Sequence, residues 1–181
     1  MSFPELKSRN RLLSFLRKYF NGAGAIVGYS RYGAATLITD TTTTATVAYV
    51  EDGKSNKHSV TFRASPSGNV EIAATLTCLP GSNDSAQFAL SDDGSTWATY
   101  TPIGALSDTQ IVVLFTTTLN DYSLLTIYWT LTGLTPDEEY TFYLGFAAGG
   151  AGQTVNVYWG GVTSDLIMKA TALPATIGAY P

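Results

Sequence analysis

The run Val70-Glu71-Ile72-Ala73-Ala74-Thr75-Leu76-Thr77-Cys78 alternates strictly. Val70, Ile72, Ala74, Leu76 and Cys78 keep one phase, while Glu71, Ala73, Thr75 and Thr77 keep the other. A period of two belongs to a β-strand, because successive Cβ atoms point to opposite faces. One face of this strand is therefore inward, and Cys78 lies on it. A buried cysteine with no base nearby in sequence acts as a small hydrophobe rather than a nucleophile. It is also the chain's one cysteine, so no intramolecular disulfide is available.

Outward from that run the same period recurs. Strands are expected near 25–30, 34–39, 44–51, 57–63, 69–79, 86–91, 96–100, 109–117, 122–132, 139–147, 153–159 and 164–172. Turn chemistry separates many of them: Asp52-Gly53, Pro66-Ser67-Gly68, Pro80-Gly81, Asp93-Gly94, Pro136-Asp137 and Gly149-Gly150. Threonine and aromatic residues crowd the runs, as strands prefer. No interval is long enough for a crossover helix, which predicts an all-β, antiparallel, jelly-roll-like sandwich. No repeat of 20–50 residues is present to suggest a propeller or solenoid.

Several runs are apolar on both faces. In 122–132, Leu125, Ile127, Trp129 and Leu131 oppose Leu124 and Tyr128, which share a face with Thr126 and Thr130. In 109–117, Ile111, Val113 and Phe115 oppose Val112 and Leu114. In 139–147, Tyr140, Phe142, Leu144 and Phe146 oppose Tyr143. An antiparallel sheet with one wet face shows a cleaner polar side. These strands are expected either at the centre of the sandwich or under a neighbouring subunit, and a homotrimer is the closest analogy.

The first 21 residues read differently. Ser2-Phe3-Pro4-Glu5 has capping-box spacing, and Leu6, Leu12, Leu13, Phe15, Leu16, Tyr19 and Phe20 make an apolar stripe. Asn21-Gly22 supplies a left-handed stop. This predicts an amphipathic helix over 1–21, a Gly-containing joint with the first strand over 22–33, and the sandwich over 34–181. The helix needs a surface to dock on, since an isolated helix of this length is marginal. Its interface residues are expected to be Leu12, Phe15, Leu16, Tyr19, Arg11 and Arg17. A docking peg is preferred to a membrane-surface helix, because the segment runs directly into a joint and a β body.

Charge divides along the same line. Of 181 residues, 13% are charged, against roughly a quarter in an ordinary domain. Residues 1–31 hold six basic side chains against Glu5 alone, a net of +5; residues 32–181 hold four against thirteen acidic ones, a net of −9. The body lacks the basic patch that nucleic-acid binding requires. The aromatic content excludes a disordered chain, and the shortage of Glu, Lys and Arg argues against a helical bundle. No continuous apolar run of about 20 residues is present to form a membrane helix.

Enzyme signatures are missing. With one histidine and one cysteine, neither a nucleophilic triad nor a Cys/His zinc site is assembled. His58 is expected as a surface hydrogen-bonding residue at the start of a strand. The glycine-rich stretch from Ala147 to Gly152 has no Gly-Lys-Ser/Thr ending and leads into a strand, so it is a hairpin loop and not a phosphate loop. Asp92 and Asp93 offer too few oxygens for calcium. The cluster Asp137-Glu138-Glu139 is expected as a solvated turn. No catalytic, cofactor or metal residue is assigned. The remaining candidates are aromatic: Tyr29, Tyr32, Tyr100, Tyr122, Tyr158 and Trp159 lie at run ends or opposite the inner phase. Rings so placed are expected in the core or at a subunit interface; if any contact a glycan, the candidates are Tyr100, Tyr158 and Trp159, because rigid rings bind sugar faces well.

Three resemblances follow. Ser91-Asp92-Asp93-Gly94-Ser95-Thr96-Trp97 resembles the Asp-box hairpin turn of sialidases, one residue short between Asp93 and Gly94. The stretch Leu134 to Tyr140 resembles the tyrosine corner of fibronectin type III domains, where the Tyr hydroxyl bonds the backbone just upstream. The whole layout of basic peg, glycine joint and Thr/Ser/Gly-rich β body resembles the small virion proteins of tailed bacteriophages: head fibres, decoration proteins and short tail-fibre knobs. Many of those are trimeric jelly rolls. The resemblance implies a non-enzymatic structural role in the virion, with the helix attached to other virion proteins and the body projecting outward. The alternative is an adhesin module recognising host-surface glycans through its aromatics.

Overall fold

The computed structural model describes residues 24–43, 48–51, 57–80, 85–92, 112–115, 122–148, 153–161 and 163–174. Within them the regular elements are strands: β1 (Ile26–Tyr32), β2 (Ile38–Thr42), β3 (Ala48–Tyr49), β4 (Ser59–Arg63), β5 (Val70–Pro80), β6 (Ser85–Ser91), β7 (Val112–Phe115), β8 (Ser123–Leu131), β9 (Glu139–Ala148), β10 (Val155–Trp159) and β11 (Leu166–Ala172). All pairings are antiparallel. One sheet has six strands (β1, β2, β5, β8, β10, β11) and the other five (β3, β4, β6, β7, β9).

β5, the strand of the opening run, is the axis of the six-stranded sheet. β8 lies along one side of it over nine consecutive residue pairs, Val70↔Leu131 to Cys78↔Ser123. On its other side β10 and β11 follow one another end to end, Val155–Tyr158 opposite Pro80–Thr77 and Ile167–Ala172 opposite Thr75–Val70. β1 and β2 repeat this arrangement one row further out, against β11 and β10. In the five-stranded sheet β3 and β4 do the same along β9. Three long strands are thus each broken once.

The breaks in β1/β2 and β10/β11 lie side by side and are bonded together. The Gly161 N–H donates to the Ala34 carbonyl at 3.0 Å. Gly160 has φ +79, and a Cβ there would fall 2.7 Å from that same carbonyl oxygen, so the approach needs glycine. The third break is closed by Val50 and His58: the His58 N–H donates to the Val50 carbonyl at 3.0 Å, and a Glu51↔Lys57 bridge continues the excursion.

The two sheets enclose one apolar core. Ile72, Leu76, Cys78, Trp129, Leu131, Val157 and Met168 enter it from the first, and Val60, Phe62, Phe88, Phe142, Leu144 and Phe146 from the second. Burying a side chain of this size contributes roughly 1.5–3 kcal/mol, so these inward phases are what set the strand register. Cys78 is fully buried, and desolvation pushes its thiol up to about 12.

Sequence and structure differ in two places here. The run 34–39 is expected as a strand, but β2 starts at Ile38, because 34–37 is spent on the bonded break. β8 is two-sided in sequence, yet among the described residues it has one neighbour, β5, and its outer residues Leu124 and Tyr128 are exposed. The tyrosine corner is present: the Thr135 N–H donates to the Tyr140 hydroxyl at 3.0 Å, and Asp137 takes φ 64 in the turn. The Asp-box region beyond Asp92, and the run 96–100, lie outside the described residues.

The two ends of the described body meet at one pole. The Gly24 N–H donates to the Ala172 carbonyl at 2.7 Å, and the Ala172 N–H to Ala25 at 2.8 Å. Asn69 fixes the exit beyond β11, its Nδ2 donating to the Pro174 carbonyl at 2.9 Å, while Ser67 Oγ donates to the Leu173 carbonyl at 2.6 Å.

Candidate functional site: the outer face of the six-stranded sheet

Residues opposite the core phase assemble a single face. β5 contributes Glu71, Ala73, Thr75 and Thr77 along its middle. Beside them stand Leu124, Thr126 and Tyr128 from β8, and Tyr158, Ile167 and Lys169 from β10 and β11. Register puts Leu124, Thr77, Tyr158 and Thr39 in one row, and Tyr128, Ala73, Lys169 and Tyr29 in another. Small residues thus run between larger ones, and Ala73 and Thr77 are covered by their neighbours.

Five large apolar side chains on or beside this face are open to solvent: Leu124 at 63%, Ile26 at 62%, Tyr128 at 59%, Tyr122 at 58% and Tyr29 at 55%. Tyr158 is half-buried because Tyr122 sits edge-on to it, ring centroids 5.0 Å apart. That desolvation, helped by Tyr122, raises the Tyr158 phenol above its ordinary range. Hydroxyl pairs cross the rows: Thr75 with Thr126 at 3.0 Å, and Thr77 with Ser164 at 3.0 Å. Charges are few. Arg31 is bonded to Asp165, which raises the guanidinium further, and Lys169 and Glu71 complete the set. The face is neutral overall, aromatic and hydroxyl-rich, suited to apolar contact.

Beneath this sheet the three strand breaks converge on a buried aromatic cluster. His58 is 1% exposed, its ring 4.1 Å from that of Tyr32 and 4.5 Å from that of Trp159. The expectation of a surface histidine is therefore corrected: closure of the β3/β4 break folds His58 inward. The Tyr32 hydroxyl bridges the sheets, donating to the Ser59 carbonyl at 2.7 Å and accepting the Ser59 N–H at 2.8 Å. Nearby, Asp40 Oδ2 accepts the Glu51 N–H at 2.7 Å. Burial pushes the Asp40 carboxyl up, against the lowering effect of its backbone hydrogen bonds.

Trp159 is 2% exposed, so the expected glycan contact there is also corrected. It shares the phase of Val155 and Val157, which are buried. Tyr158, one residue earlier, faces out. Tyr100 lies outside the described residues, as do Leu12, Phe15, Leu16, Tyr19, Arg11 and Arg17 of the N-terminal segment. Asp137, Glu138 and Glu139 are exposed at their turn, as expected. Among the described residues no group of three or more His, Cys, Asp and Glu gathers to hold a metal ion. The sequence does not group Leu124, Tyr128, Tyr122, Tyr158 and Tyr29 on one face. Their phase is legible strand by strand, but their adjacency depends on pairings between distant segments, from Thr77↔Leu124 to Tyr29↔Lys169.

No protein-family model matches the chain, and no curated protein matches it.

Proposed function

We propose that this chain is a structural component of a tailed-bacteriophage particle, of the fibre, decoration or tail-attachment type. In this reading the segment 1–21 is a helix that docks on other virion proteins. The β body is a jelly-roll head that projects from the particle and packs against copies of itself, a trimer being the assembly the resemblance implies. The role is non-catalytic and independent of cofactors. The observation that supports it most is the shared pole: Gly24, which leads out of the basic segment, is bonded to Ala172 beside the clamped exit at Leu173 and Pro174. A peg attached there leaves the opposite pole directed away. Gly24 has φ +89 and open space around it, which suits a joint. Of the three ring contacts that the adhesin alternative expects, Trp159 is buried, Tyr158 is half-buried against Tyr122, and Tyr100 lies outside the described residues.

The test is deletion of residues 1–21. The expected outcome is a body that unfolds at the same temperature as the full chain but no longer joins particles when supplied in trans. A truncated chain that fails to fold, or one that still incorporates, overturns the peg.

A further inference from the structure

We propose that the outer face of the six-stranded sheet is a self-packing surface, on which two copies of this chain stack sheet against sheet. The two-fold axis runs along the strands, between β5 and the line of β10 and β11. The inference rests on the self-association in the reading above and assigns it a surface and a symmetry.

The first observation is the apolar content of the face. Ile26, Tyr29, Tyr122, Leu124 and Tyr128 are each more than half exposed, and they bracket the sheet from β1 to β8. Surface residues of this kind are ordinarily scattered singly, and a contiguous set marks a site of association. Four columns of strands at about 4.8 Å, and the run from Glu71 to Leu79 at about 3.3 Å per residue, give a footprint of roughly 500 Å² per copy. A pair then buries about 1,000 Å², the area at which specific interfaces begin. Charge selects the partner. Residues 32–181 hold four basic side chains against thirteen acidic ones, yet on this face Lys169 and Arg31 balance Glu71 and Asp165. Two copies therefore do not repel through it, and a partner with net charge of either sign meets no complementary field.

The second observation, the relief of the face, selects the axis. Small residues of β5 stand beside larger ones of β10 and β11: Ala73 beside Lys169, Thr75 beside Ile167, and Thr77 beside Tyr158. A two-fold along the strands keeps each row and exchanges these columns. Every small residue of one copy then receives the larger one of the other, twice. The same operation exchanges β8 with the line of β1 and β2, so Tyr128 meets Tyr29 and Leu124 meets Thr39. Lys169, set over Ala73 of the other copy, also lies one residue pair from that copy's Glu71. A two-fold across the strands instead sets each column on itself, small β5 residues against small ones, and leaves a gap along the middle. Sheets stacked face to face keep their strands within about 30° of each other, as the chosen axis does, and paired rings contribute beyond the area they bury. The contact is isologous and closes at two chains.

The experiment is the mass of the full chain in solution, by sedimentation and native mass spectrometry, for the parent and four variants. The parent is expected as a dimer. Tyr29→Glu and Tyr128→Lys should each weaken it at least tenfold, since each sets a charge against an aromatic ring. The double variant Y29E/Y128K should regain most of the loss, because each new lysine faces the new glutamate of the other copy. Thr61→Lys, exposed on β4 in the other sheet, should leave the dimer unchanged. All three positions are exposed, so the circular dichroism of every variant should match the parent. A double variant no tighter than the singles overturns the axis, and an equal loss from Thr61→Lys overturns the face. A dimer or trimer indifferent to the Tyr29 and Tyr128 substitutions overturns the face while leaving self-association standing. A monomeric parent overturns both, and binding of that monomer to an array of neutral glycans, lost in Tyr128→Lys, would give the face to the adhesin alternative.

Discussion

Along one border of the six-stranded sheet the strand is broken in two, and along the other it runs nine residues without interruption. At the broken border, β1 and β2 leave the sheet between Tyr32 and Ile38, and the matching break in β10/β11 bonds to it through Gly161 and Ala34. The backbone there is spent on its own chain, and the side chains beside the breaks turn inward: Trp159 packs on His58, and His58 on Tyr32. At β8 the apolar residues stay outside and the outer edge meets no described strand. Breaking a strand turns its side chains into core, whereas the intact β8 keeps Leu124 and Tyr128 exposed. The first border should therefore hold more of the body's stability than the second.

The largest effect expected at the broken border comes from Trp159→Ala. Removing a fully buried indole that supports His58 should cost about 3–5 kcal/mol, read from the denaturant midpoint. A loss comparable to that of an exposed β8 substitution would erase the contrast between the borders. Gly160→Ala comes next. A side chain at φ +79, pressed on the Ala34 carbonyl, should cost about 1–3 kcal/mol. An unchanged melt would mean that the two breaks are not locked together.

The smallest effect concerns acid. Burial raises the Asp40 carboxyl, so the folded chain binds that proton more tightly than the unfolded chain. This contribution to stability is fully present below the unfolded value and is lost as pH rises through the folded one. Asp40→Asn, which keeps an acceptor for the Glu51 N–H, should be at least as stable as the parent at neutral pH. It should then lose ground relative to the parent as the solution is acidified. A parent that instead loses ground on acidification would point to an ionised Asp40 held by a positive partner.

How much was legible follows from the range of the interactions. Val70 to Cys78 announces a strand because alternation is a local property, and the inward phase of Ile127, Trp129 and Leu131 was readable for the same reason. The tyrosine corner from Thr135 to Tyr140 was readable too, since both partners lie within one turn. His58 was misjudged because its local surroundings, Lys57 and Ser59, are polar, while the rings that enclose it come from positions 32 and 159. Trp159 sat at the end of a run, where phase is hardest to carry forward. The breaks themselves left only weak signals, glycines at 33, 160 and 161 that resemble ordinary turns.

The sequence by itself determined the all-β class, most strand positions and the buried face of the strictly alternating runs, because hydrophobic periodicity acts residue by residue. Only the tertiary structure decided which strands are neighbours and which are interrupted. It also decided which outward residues gather beside β5. Those outcomes depend on pairings between distant segments, where register and burial must be satisfied by all the strands at once.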